Sequence, residues 1–259
     1  MKTHFIRPEV QKASLVPSGA VPNLAAEPAK GFELPHPDQH FGCVTYSQHA
    51  DDLIVLSVFT SMGIQQPTYL DIGAHHPFNI SNTALFHERG CRGINVEANP
   101  NLFEAFLAHR PQDINLNVGV SARSGGEPLD FYMIDKWSGR NSFSKQMVDD
   151  FVKAYPQFQV TEVIKIPTMT VDDIIQKHAG GVFPDFLSID VEGLDEEILR
   201  SVDYSVARPK VICVETVSAT GERGDAGIKI FLEEMGYLSL IRCGGNSIFV
   251  HREFESLVR

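Results

Sequence analysis

The chain holds 259 residues with a formal net charge of −11 and a pI near 5.3. That length suits one large α/β domain with an appendage, enough to bury roughly three quarters of its unfolded surface. The acidic balance opposes nucleic-acid phosphate or an anionic membrane surface as the main partner.

Cys43, Cys91, Cys213 and Cys243 are far apart and form no C-x-x-C pair, so zinc and dithiol chemistry have no support and free thiols in a reducing compartment are expected. No early segment joins a basic start to an apolar run, and the longest apolar stretch, 53–59, is far too short to span a bilayer. The expectation is a soluble, cytoplasmic protein with no integral membrane segment. Residues 1–40 carry Pro8, Pro17, Pro22, Pro28, Pro35 and Pro37 among small and polar residues, and are expected to form an extended or disordered arm ahead of a domain over 41–259.

Order is expected from Tyr46, with Ser47 as a helix N-cap, Asp51 and Asp52 in an early turn, and apolar residues at helical spacing through Leu56. For the two acids a packing role outweighs direct catalysis. The run Tyr69-Leu70-Asp71-Ile72 then suits a buried parallel strand, with Gly73 and Ala74 forming a small-residue turn at its carboxyl end, where open α/β sheets bind ligands. A helix over 82–90 closes on Gly90 and leads to a second strand, Gly93 to Glu97. Glu97 lies about 24 residues beyond Gly73, near the roughly 20-residue offset of a ribose-binding acid. The two acids, Asp71 and Glu97, imply a nucleoside-containing cofactor. The turn lacks a full G-x-G-x-x-G, however, and carries His75 where a second glycine would fall.

Asn99 and Pro100 start the next helix, 114–120 reads as a third strand, and 128–134 as a further one, an antiparallel edge or insertion. The pattern then dissolves over 135–159, a long irregular segment with a short helical stretch, suited to a lid or substrate loop. Strand character returns over 160–169, and Thr170 caps a helix that ends at Gly180-Gly181. A strong strand, 185–190, runs into Val191-Glu192-Gly193-Leu194-Asp195, crowding Asp190, Glu192 and Asp195 at one turn. Strand 210–215 again ends in an acid, Glu215. A helix over 226–236 follows, and strands 237–242 and 247–251 pair across a glycine-rich hairpin. About seven strands alternating with helices and closing on a hairpin describe a doubly wound α/β sheet with an antiparallel last strand.

Several segments together resemble the FkbM-type methyltransferases, which use S-adenosylmethionine within a seven-stranded Rossmann-like, class I fold. These are Tyr46-Ser47-Gln48 with Asp51-Asp52-Leu53, Leu70-Asp71-Ile72-Gly73-Ala74, Val96-Glu97-Ala98-Asn99-Pro100, and Phe186-Leu187-Ser188-Ile189-Asp190-Val191-Glu192-Gly193 preceded by Thr170-Val171-Asp172-Asp173-Ile174. The resemblance covers residues 46 to about 250. His75 stands where the family has asparagine, Pro77 where it has glycine, Ser188 where it has lysine, and Ala98 where it has the first proline of its E-P-N-P stretch.

The resemblance implies methyl transfer to a hydroxyl of a sugar, glycan or related small molecule. It implies Gly73, Ala74 and His75 at the methionine end of the cofactor, Asp71 holding the turn, Glu97 on the ribose and Asn99 near the adenine. Asp190 and Glu192 are then the candidates for acceptor positioning and base work, with His76 a secondary base, because imidazole titrates near neutral pH. Asp195 can complete a divalent-metal site with them, and the hydroxyl proton can leave to a general base or through such a metal. Trp137 and Arg140 can contact a glycan. The alternatives are a NAD-type oxidoreductase on the same βαβ logic, a non-catalytic glycan-binding or scaffold protein that keeps the fold, and a metal-dependent hydrolase on Asp190, Glu192 and Asp195.

Overall fold

A computed structural model describes residues 44–123, 125–217 and 226–258. The chain divides into Met1–Gly42 and Cys43–Arg259, and every element below belongs to the second unit. The proline-rich stretch 1–40 lies outside the described residues.

The strands are β1 (Tyr69–Ile72), β2 (Gly93–Val96), β3 (Ile114–Leu116), β4 (Gly119–Val120), β5 (Leu129–Met133), β6 (Glu162–Ile166), β7 (Thr168–Met169), β8 (Phe186–Ile189), β9 (Val211–Glu215), β10 (Tyr237–Cys243) and β11 (Asn246–His251). The helices are α1 (Asp51–Ser61), α2 (Ala84–Glu88), α3 (Pro100–His109), α4 (Lys145–Ala154), α5 (Val171–His178), α6 (Asp195–Ser201), α7 (Ala226–Glu234) and α8 (Glu255–Val258).

Seven strands form the main sheet in the order β10-β11-β9-β8-β1-β2-β3. Pairings from β3 across to β9 are parallel, whereas β11 is antiparallel to both β9 and β10, so β11 alone runs against the rest. Strand direction alternates side chains between faces. On β1, Leu70 and Ile72 enter a core with α5, α6 and α7, while Tyr69 enters a second core on the opposite face with α1 and α2. Helices therefore cover both faces, as parallel strands buried on both sides require. The order reverses between β1 and β8, and the chain leaves both strands at the same end of the sheet. That crevice is where such sheets hold ligands.

Local departures from the expected elements have identifiable causes. Helix α1 starts at Asp51, after Ala50 in a left-handed conformation (φ 64°), and Ser47 is not its cap. Instead the Asp52 carboxylate accepts bonds from the Tyr46 N–H (2.8 Å), the Thr45 hydroxyl (2.6 Å) and the Ser47 hydroxyl (2.9 Å). Those local bonds hold 45–47 outside the helix. Both acids are buried in the first turn and neither lines the cavity described below.

The stretch 114–120 is two strands. Asn117 donates to the carbonyls of Glu97 (2.8 Å) and Ala98 (3.1 Å), ending the pairing with β2, and β4 then pairs with β7 in a separate small sheet. Stretch 160–169 is likewise divided, because β6 pairs antiparallel with β5 while β7 turns to β4. The β5–β6 pair and α4 form an insertion seated by Phe131, Met133 and Ile166, against which Phe143 and Ala98 pack.

Candidate active site

The carboxyl ends of β1, β2, β8 and β9, together with the 138–143 segment of the insertion, enclose a cavity of about 260 Å³. Asp71, Gly73, Ala74, His75, Glu97, Asn99, Asp190 and Glu192 all line it.

The turn after β1 is held from β2. The amides of Gly73 and Ala74 both donate to the Val96 carbonyl, at 3.0 and 3.1 Å. Gly73 has φ 77°, and a Cβ there would sit 1.8 Å from the Asp190 carbonyl oxygen, so only glycine lets the turns after β1 and β8 close on one another. His75 follows at φ 54°, with its amide on Glu97 Oε2 at 2.8 Å. The other oxygen, Oε1, accepts from the Asn99 amide at 2.7 Å. Glu97 thus links the β1 turn to the start of α3, where Asn99 caps the Asn101 amide at 3.1 Å and donates to the Lys136 carbonyl at 2.9 Å. Burial pushes the Glu97 carboxyl up to about 7, against the pull of those two N–H donors. Each of its oxygens keeps a lone pair for a ligand donor.

Asp71 lies beneath the turn, fully enclosed, and accepts from the Thr83 hydroxyl at 2.6 Å. Burial raises its carboxyl above the usual range, opposed by Thr83, Arg110 and Ser188. His76 is not among the cavity-lining residues. Its Nδ1 accepts from the amides of Phe78 (3.1 Å) and Asn79 (3.0 Å), and burial holds the imidazole below its ordinary range. The structure gives it a turn-holding contact in place of the expected position beside the reacting groups.

At the other end of the cavity, oxygens of Asp190, Glu192 and Glu215 all lie within 4.8 Å of one another. Arg140 reaches in from the insertion, with Nη1 2.8 Å from Glu192 Oε2 and 3.8 Å from Glu215 Oε1. The Ser142 hydroxyl donates to the Glu192 carbonyl at 2.8 Å, fixing a backbone at φ 55°. Burial raises all three carboxyls, and Asp190 further raises Glu192 and Glu215, while Arg140 opposes each rise. Three mutually close acids with one cation hold protons well above the usual carboxylate range.

The third acid of the cluster is Glu215, not Asp195. Asp195 turns back to accept the amides of Val191 (3.1 Å) and Gly193 (3.2 Å), ahead of α6, and does not line the cavity. Asp195 is the first residue of α6, and a short carboxylate there can accept from amides of the turn that leads into the helix. The exchange was signalled by the acid at the end of β9. Trp137 is 65% exposed and also lies off the cavity, whereas Arg140 lines it. Thr83 and Arg110 stand behind Asp71, and neither is marked as a site residue by the sequence around it.

A mostly parallel seven-stranded sheet with its last strand reversed, and a cavity at its crossover lined by a glycine turn and buried acids, defines an open α/β protein of the ligand-binding kind. The chain belongs to the Methyltransferase FkbM domain family, which matches residues 71–239. Among solved structures, it is similar to the Burkholderia thailandensis 1,6-didemethyltoxoflavin-N1-methyltransferase, solved with bound 1,6-didemethyltoxoflavin and S-adenosylhomocysteine: 11% identity, 78% of this chain, 77% of that one, TM-score 0.38. It is also similar to the mitomycin 7-O-methyltransferase MmcR at 15% identity and TM-score 0.38, over 77% of this chain and 52% of that one, about half its length. No curated protein matches the chain. Among the described residues, no helix is long and apolar enough to cross a membrane.

Proposed function

We propose that this protein is an S-adenosylmethionine-dependent O-methyltransferase whose acceptor is a hydroxyl of a sugar, glycan or related small molecule. The reading is carried by one observation: a glycine turn with a buried acceptor carboxylate, and a cluster of proton-holding acids, face a single cavity. The residues fit the cofactor. Gly73 lets the turn after β1 close against the Asp190 carbonyl, so that both strand ends face one cavity, and Glu97 offers lone pairs suited to two ribose hydroxyls. In this reading Gly73, Ala74 and His75 border the methionine end, Asp71 supports them, and Asn99 stands near the adenine.

When bound, the cofactor supplies an electrophilic methyl carbon on a sulfonium. The protein's own work is to orient the acceptor oxygen, exclude water and take the hydroxyl proton. Glu192 and Asp190 are the proton acceptors: burial raises both carboxyls, Asp190 raises Glu192 further, to about 8, and Asp71 adds to the rise of Asp190. Arg140 holds Glu192 in place. A divalent cation is a second form of this reading, favoured by the three close oxygens of Asp190, Glu192 and Glu215, a donor set suited to a hard ion. Loss of transfer on chelation and its return with magnesium or manganese would choose that form.

Family membership favours methyl transfer over a NAD-type oxidoreductase, and the retained acids favour catalysis over a scaffold role. The domain is taken to run over 41–259 with 1–40 as a separate arm. The buried free thiols Cys91 and Cys213 accord with a reducing compartment such as the cytoplasm. The test is methyl transfer from S-adenosylmethionine to a panel of hydroxylated sugars and glycans. Glu192→Gln should lower kcat by about 100-fold or more; a variant as fast as the wild type removes Glu192 from base work.

A further inference from the structure

Among the described residues Arg110 is the largest fully buried side chain, and none of the hydrogen bonds it makes to them goes directly to a carboxylate. From the C-terminal end of α3 its Nη2 donates to the Pro77 carbonyl and to Ser81 Oγ (3.0 Å). Its Nη1 donates to Asn95 Oδ1 (3.1 Å) and Thr83 Oγ1 (2.8 Å). The Thr83 hydroxyl in turn donates a hydrogen bond to Asp71 Oδ2 at 2.6 Å. Asn95 in turn donates to Asp113 at 3.1 Å. The buried cation is therefore balanced by two acids, each reached through one neutral side chain. A guanidinium suits this task because its donors are fixed in one plane and point in several directions at once.

We propose that Arg110, acting through Thr83, is a positioning residue of the cofactor turn: it holds the Asp71 carboxylate and the 77–83 segment in the arrangement that receives the ligand. This rests on the cofactor reading above. Neither residue lines the cavity, and Asp71 does. Fork and hydroxyl fix the carboxylate from below, while Gly73, two residues on, must stay against the Asp190 carbonyl. The neighbouring acids Asp113, Glu97 and Asp190 repel the Asp71 charge, whereas Ser188 favours it. Arg110 is the cation that counters them. Removing the relay leaves a buried carboxylate with one strong donor fewer, free to turn toward the cavity.

Replacing Arg110 itself risks the fold, so the test uses Thr83→Val, which keeps the shape and removes the hydroxyl, and Thr83→Ser, which restores it. S-adenosylhomocysteine is the calorimetric probe. Thr83→Val should bind it about 10-fold more weakly, the scale of one charge-assisted hydrogen bond, with the side-chain carboxyl carbon resonance of Asp71 displaced. Thr83→Ser should recover both. Unchanged affinity and resonance in a folded Thr83→Val protein overturns the proposal. If the wild type binds no S-adenosylhomocysteine, the cofactor reading fails by itself, and the Asp71 resonance still decides the relay: displaced in Thr83→Val, the relay stands; unmoved, it falls.

Discussion

Gly73→Ala strikes the point where the two halves of the sheet meet. Alanine at φ 77° lies in the left-handed region, which costs an L-residue about 1–2 kcal/mol. Its Cβ would also lie 1.8 Å from the Asp190 carbonyl oxygen and 2.8 Å from its carbon, both rigid backbone atoms, so the turns after β1 and β8 must separate. Overpacking of this kind typically costs a further 1–3 kcal/mol, giving a total of about 3 kcal/mol. The same separation moves Asp190 away from the turn after β1. Urea unfolding followed by circular dichroism reads the stability, and titration with S-adenosylhomocysteine reads the site. The variant should lose about 3 kcal/mol and at least about 10-fold in affinity. A variant within about 0.5 kcal/mol of the wild type, with affinity intact, would refute the close approach of the two turns.

Glu97 has its folded-state carboxyl raised from 4.5 to about 7, so the folded protein holds this proton more tightly than the unfolded chain. Its contribution is fully present below the unfolded value and is lost as pH rises through about 7, by up to about 3 kcal/mol. Stability of the wild type should therefore fall more between pH 5 and 8 than that of Glu97→Gln; parallel urea midpoints in the two proteins would contradict this. Asp195→Asn removes one of two carboxylate acceptors for the amides of Val191 and Gly193. It should cost about 1–2 kcal/mol by thermal melting while leaving the cavity acids in place. Full stability with abolished transfer would return Asp195 to the chemistry.

The centre of the sheet was legible because β1, β2, β8 and β9 are short apolar runs that end at Gly73 or at the acids Glu97, Asp190 and Glu215, and the β10–β11 hairpin because Gly244-Gly245 leaves only a tight turn between Cys243 and Asn246. Thr170 and Asn99 announced their helices, and both side chains do cap them. What sequence missed depends on distance in space. Asp195 and Glu215 are alike as acids, and only the parallel pairing of β8 with β9 brings Glu215 to Asp190, while the amides of Val191 and Gly193 ahead of α6 hold Asp195. Ser47 resembled a cap, but Asp52 five residues on took its hydroxyl. His76 shared a turn with His75, yet neighbouring amides claimed its ring nitrogen while His75 faces the cavity. Arg110 carries no local signal at all, since its partners come from the 77–83 segment and β2.

The central claim is that the crossover cavity receives S-adenosylmethionine. Isothermal titration of the full chain with S-adenosylhomocysteine, beside NADH and beside a Glu97→Ala variant, tests it most directly. One-site binding of S-adenosylhomocysteine, weakened at least about 10-fold by Glu97→Ala and matched by no binding of NADH, is the predicted result. Tight NADH binding without S-adenosylhomocysteine binding, or an affinity indifferent to the loss of Glu97, would contradict it.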